Sequence, residues 1–135
     1  KGRLVSKYIS NSFKFFGEAR RDYEAIAFQI SAGQITGVCC VGTGEVLEIA
    51  QMVFAAHNIQ VVCVLDVMAH EGQRHSRSFA EIPKAMVSRI GCLVITETRR
   101  PHKAFEIVAS CQCGKDILAP AFMKIGQSKF QSGRV

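Results

Sequence analysis

Gly42-Thr43-Gly44 stands between an apolar run and an amphipathic one, and here residue type and spacing best fit a chemical task. Gly42 permits a tight turn, and Gly44 leaves room for backbone to approach a ligand closely. The helix expected to follow starts with N–H groups that have no partner within the helix, and these favour an anion. Asp66 closes the next apolar run, 24 residues after Gly42. In dinucleotide-binding folds an acid at that distance meets a ribose hydroxyl pair. The G-x-G-x-x-G fingerprint is incomplete, because its third glycine falls at Leu47 and Glu45 puts negative charge where a pyrophosphate would sit. The pattern therefore points to a nucleotide, a nucleotide-sugar or another small anion before a full dinucleotide. Thr96, at the carboxyl end of a later apolar run, completes the expected ligand set of Gly42, Thr43, Gly44, Glu45, Asp66 and Thr96. A nucleotide-binding fold that holds no ligand is the competing reading.

Other chemistry is thinly represented. Arg74, His75 and Arg77 follow the second apolar run and read first as a solvated loop, second as phosphate contacts over the crevice. No nucleophile elbow, P-loop, HExxH or metal-spaced His cluster occurs, so no catalytic residues and no metal ligands are assigned. Cys39, Cys40, Cys63 and Cys92 lie inside apolar runs, where cysteine acts as a small hydrophobe. Cys111 and Cys113 form a lone CxC without a second pair. This cysteine usage fits a reducing, cytoplasmic setting.

The elements that must position the turn follow from hydrophobic periodicity. Residues 35–41, 59–65, 91–96 and 116–120 read as strands, the first three apolar on both faces as parallel strands are. Phe79 to Ile82 reads as a short additional strand before Pro83. Helices are expected over 45–57, from Pro83 to Arg89, and from Pro101 to Ser110. Alternation at this spacing predicts an α/β fold: a Rossmann-like, doubly wound parallel sheet of about five strands in the order 3-2-1-4-5, preceded by a long N-terminal helix.

That helix occupies residues 1–32. Val5, Ile9, Ser12, Phe16, Ala19, Tyr23, Ile26 and Ile30 recur at alternating spacings of four and three, the seam of a coiled coil. A helix of this length runs about 40 Å, longer than a small α/β domain is wide. Ile9, Phe16, Tyr23 and Ile26 are therefore expected to form a homodimer seam, with packing of residues 18 to 30 on the chain's own sheet as the alternative. Gly17 is a possible kink. The chain thus divides into a dimerisation and linker helix (1–32), a ligand-binding domain (33–120) and a tail (121–135).

Composition narrows the partners. Net charge is +6 over 135 residues, but the basic excess sits at the two ends, and residues 33–110 carry equal numbers of basic and acidic side chains. A neutral body does not present the clustered cations that nucleic acid needs. No apolar run reaches the roughly 20 residues that cross a bilayer. The opening Lys1-Gly2-Arg3, without a start methionine, suggests a piece of a longer protein.

The stretch Phe15-Phe16-Gly17-Glu18-Ala19-Arg20-Arg21-Asp22-Tyr23-Glu24-Ala25, followed by Val41-Gly42-Thr43-Gly44-Glu45-Val46-Leu47-Glu48-Ile49-Ala50, resembles a bacterial group of transcription regulators. In that group a winged helix-turn-helix domain precedes a long linking helix and a Rossmann-like sensor domain. Lys1-Gly2 resembles the end of the wing. The resemblance covers roughly residues 1 to 120. It implies a cytoplasmic dimer that senses a small anionic ligand and reaches DNA only through a domain outside this chain. Where the group has two consecutive acids after the second strand, this chain has Asp66-Val67. A second resemblance is to the nucleotide-sugar-binding domain of bacterial sugar O-acyltransferases, which shares the glycine turn and the acid after the second strand. The hexapeptide repeats those enzymes need are not in this sequence.

Overall fold

The computed structural model describes residues 2–67, 81–110 and 114–125, with side chains from residue 14 onward. A single helix, α1 (Gly2–Ala32), leads into β1 (Gly37–Val41), α2 (Leu47–Ala56) and β2 (Gln60–Leu65). After the second crossover come α3 (Lys84–Val87), β3 (Cys92–Ile95), α4 (Pro101–Ser110) and β4 (Asp116–Leu118), then a 3₁₀ turn over Ala121–Met123. The four strands form one parallel sheet in the order β2-β1-β3-β4. β1 and β3 are buried at every residue, which is what their unbroken apolar runs require.

Four strands are described where about five were expected. Of the short run before Pro83, Glu81 is in a 3₁₀ turn and Ile82 in a bend, neither of them in the sheet, and Pro83, with φ −57°, leads directly into α3. Proline has no N–H to give a ladder and its φ suits the start of a helix, so the chain turns there and Ile82 becomes a buried plug. Phe79 and Ala80 lie outside the described residues. The remaining order is that of a doubly wound sheet. Because β1 to β2 and β3 to β4 step in opposite directions, right-handed crossovers put α2 and α4 on opposite faces.

Helix ends follow local rules. α2 stops at Asn58, whose φ is +60°. Asn58 N–H donates to Ala55 O (3.1 Å) and Ile59 N–H to Phe54 O (2.8 Å), the paired bonds of a Schellman motif, with Ile59 buried beneath it. α1 ends the same way, Gln34 N–H reaching Ser31 O and Ile35 N–H reaching Ile30 O. Its left-handed residue is Gln34 (φ +60°), one position after Gly33.

α1 runs unbroken through Gly17 and measures about 46 Å at 1.5 Å per residue. Its second half packs on the chain's own body: Ala19, Tyr23, Ile26, Ala27 and Ile30 are buried in the core. The Tyr23 hydroxyl donates to the Ile95 carbonyl at 2.8 Å, tying α1 to the end of β3. Tyr23 and Ile26, expected in a dimer seam, are thus buried against the chain's own core, as the alternative of packing residues 18 to 30 on the sheet has it. The seam continues into the core because Ala19 and Ala27 let the helix lie close to α2 and the sheet. Phe16 is different, 40% exposed, and the side chain of Ile9 lies outside the described set.

Residues 121–125, expected to open a tail, pack on the body. The 3₁₀ turn docks on α1, where Phe122 N–H donates to the Asp22 carboxylate at 2.9 Å and the Phe122 ring meets Phe15 edge-on. Met123 and Ile125 are buried.

Candidate functional site

The sheet order puts the topological switch point between β1 and β3, where connections leave toward opposite faces and doubly wound folds open their ligand crevice. Gly42-Thr43-Gly44 leaves β1 there and Thr96-Glu97-Thr98 leaves β3 beside it. Gly42 has φ +121°, a conformation that L side chains rarely adopt, and its N–H donates to Leu65 O at 2.7 Å. The tight turn predicted for Gly42 is thus present.

The two loops touch. A Cβ on Gly42 would overlap the Glu97 backbone nitrogen and lie 2.6 Å from its Cα. A Cβ on Gly44 would lie 2.6 Å from Thr98 Oγ1 and 2.9 Å from Thr96 O. Both glycines are thus used for loop-on-loop packing. Thr96 reinforces the contact: it is fully buried, and its hydroxyl donates to Gly42 O at 2.6 Å. Thr96 holds the turn from beneath.

The N–H groups of Thr43, Gly44 and Glu45 donate to no described group. The first bond of the following helix is Leu47 N–H to Gly44 O at 3.1 Å, and no side chain caps it. Three amides therefore gather at a helix start, where the helix dipole adds partial positive charge. Thr43 is exposed, and its hydroxyl lies 3.4 Å from Asp66 Oδ2, so the acid after β2 reaches the turn as expected.

Three carboxylates border this place. Glu45 is exposed, Asp66 half-buried and Glu97 buried. Glu97 is held inward, its Oε2 accepting the Arg99 N–H at 3.0 Å. Glu97 was not among the residues expected at the site. Arg99 and Arg100 are exposed. Arg74, His75, Arg77, Cys111 and Cys113 lie outside the described residues. Among the described residues, no three His, Cys, Asp or Glu side chains converge as a metal site, and no helix is long and apolar enough to cross a membrane.

A hollow lies elsewhere. A groove of about 540 Å³ runs between α1 and α2, with Phe16, Ile49, Met52 and Val53 as its apolar lining and Arg20, Glu24, Glu45 and Glu48 around it. Arg20 and Glu24 pair at 3.2 Å in the open. Glu45 belongs to both places. Periodicity assigned one apolar face to α2 and overlooked this second one. Ile49, Met52, Val53 and Ala56 recur at three- and four-residue steps beside the core stripe of Val46, Ala50 and Phe54, and that repetition is legible in the chain.

No protein-family model, curated protein or solved structure matches the chain.

Proposed function

We propose that this chain is a ligand-sensing and dimerising domain of a transcription regulator, binding a nucleotide-like or other small anionic ligand over Gly42-Thr43-Gly44. The observation that carries the ligand reading is the set of three N–H groups, Thr43 to Glu45, without partners among the described groups at the switch point of a parallel sheet. Asp66 beside Thr43 supplies an acceptor for ligand hydroxyls. Glu45, Asp66 and Glu97 together oppose a polyphosphate, so the favoured ligand carries one phosphate or carboxylate together with hydroxyl groups. The regulator and dimer parts rest on the resemblance and on α1, whose first half continues the apolar seam beyond the buried residues. In that arrangement Ile9 and Phe16 meet a second copy, and the ligand shifts the angle between α1 and the sheet through the loops that Tyr23 and Thr96 tie down.

The test is a titration of the ¹⁵N-labelled chain with nucleoside monophosphates, nucleotide-sugars and dinucleotides, followed by amide NMR. Saturable shifts centred on Thr43, Gly44 and Glu45, weakened by Asp66→Asn, are expected. Amides there that stay still for every compound would end the ligand reading. Sedimentation of Phe16→Glu tests the dimer separately, since a mass identical to that of the parent chain would remove Phe16 from any interface.

A specific observation favours a second reading, a structural module with no ligand. The space that the two glycines leave is filled by Glu97 and Thr98, so close loop packing accounts for both glycines without a bound molecule.

A further inference from the structure

β1 and β2 are not paired in even register. Val38 stands opposite Val61, but the next pair is Cys39 with Cys63, so Val62 is skipped. This bulge decides which side chains meet. In even register Cys39 would face Val62; with one residue skipped, two thiols stand side by side on one face of the sheet. The Cys63 thiol donates to Cys39 Sγ at 3.3 Å.

The two sulfurs differ in what reaches them. Cys39 is fully buried in the central strand, while Cys63 is half-buried in β2. The Cys39 thiol can in turn donate to a Cys63 thiolate, and this hydrogen bond draws the Cys63 thiol below the ordinary cysteine range against an opposing effect of partial burial. Cys40, the next residue, points to the opposite face. Burial pushes its thiol up to about 12, so it stays protonated and inert. One strand thus carries a reactive-pair cysteine and its own internal control.

We propose that Cys39 and Cys63 are a redox-modifiable dithiol, which a small hydroperoxide converts to a cross-strand disulfide. The Cys63 thiolate attacks the outer peroxide oxygen, the O–O bond breaks, and the alkoxide or hydroxide released takes up a proton. Cys63 is then a sulfenic acid. The Cys39 sulfur attacks the Cys63 sulfur, the S–O bond breaks, and the oxygen leaves as water with the Cys39 proton. Two thiols lose two electrons and the hydroperoxide gains them. The sulfurs need to close from 3.3 Å to about 2.05 Å, and neighbouring strands about 4.8 Å apart suit the Cα spacing that disulfides accept. Reduction by a dithiol reverses the change.

The bond would form three residues before Gly42 on one strand and three before Asp66 on the other. It would therefore lock together the two strands that deliver the turn and its acid. The inference rests on the thiol pair alone and stands whether or not the turn binds a ligand.

The experiment treats the reduced chain with hydrogen peroxide, caps remaining thiols by alkylation, and maps the chain after chymotryptic cleavage. Cleavage after Phe54 separates Cys39 from Cys63. Expected are loss of the mass of two hydrogens and a linked peptide pair containing Cys39 and Cys63, cleaved by dithiothreitol. The pair persists in Cys40→Ser and vanishes in Cys63→Ser. Cys63→Ala, with circular dichroism of both variants, shows that the loss is not unfolding. Any of three results would overturn the proposal: no change in mass, a link through Cys40 or another cysteine in the parent chain, or Cys63 recovered only as sulfinic or sulfonic acid.

Discussion

The turn at the sheet's carboxyl edge and the groove between α1 and α2 share Glu45 and little else. At the turn, loop sits against loop: glycines abut Glu97 and Thr98, and a buried threonine bonds the Gly42 carbonyl. The groove is side-chain country, lined by Phe16, Ile49 and Met52, and Met52 is 73% exposed. Three N–H groups at a helix start need no deep hollow to hold one anionic group. Glycines at a strand-to-helix bend are thus not by themselves a measure of ligand space. Here the atoms they leave out make room for the neighbouring loop.

The difference can be broken by substitution, since the turn is a packing site with consequences for folding and the groove is not. Gly42→Ala is expected to be the most damaging change. It forces a side chain into φ +121° and onto the Glu97 backbone, at about 3 kcal/mol or more by urea denaturation. A loss under about 1 kcal/mol would mean the loops part easily and the crevice opens. Gly44→Ala meets a hydroxyl and a carbonyl instead of a left-handed backbone. It should cost about 2 kcal/mol, with partial recovery when Thr98→Ala removes the nearer atom. Thr96→Val keeps the shape and removes the donor to Gly42 O; about 1.5 kcal/mol in the same measurement is expected.

Two smaller effects sharpen the contrast from the α1 side. A Cβ on Gly17 meets nothing within 4 Å, so Gly17→Ala should raise stability by about 1 kcal/mol through helix propensity. A fall in stability would show that α1 uses the glycine to bend. Met52→Gln on the open groove should change stability by less than about 0.5 kcal/mol. A larger loss would reveal that the groove is closed in solution by a second copy or another segment.

Much of the fold was legible along the chain. Ile35 to Val41 and Gly91 to Thr96 read as buried parallel strands because apolar residues on both faces have no other stable place, and Pro101 to Ser110 was marked by its own proline and periodicity. The bend at Gly42, the carboxylate at Asp66 and the end of α2 at Asn58 were equally readable, since each depends on one residue's conformational preference or on its distance from a neighbour. Tyr23 and Ile26 were not. A seven-residue repeat specifies an apolar stripe on a helix and says nothing about what covers it, and here the chain's own core covers its second half.

Local preferences thus determined the strands, the helices and the bend at Gly42, because backbone sterics and periodicity act within a few residues. Which surfaces meet was decided only by the tertiary structure. The pressing of Gly44 onto Thr98, the burial of Tyr23 beneath Ile95 and the alignment of Cys39 with Cys63 through a skipped residue all join positions far apart in the chain. Contacts of that kind follow from how whole elements fill space together.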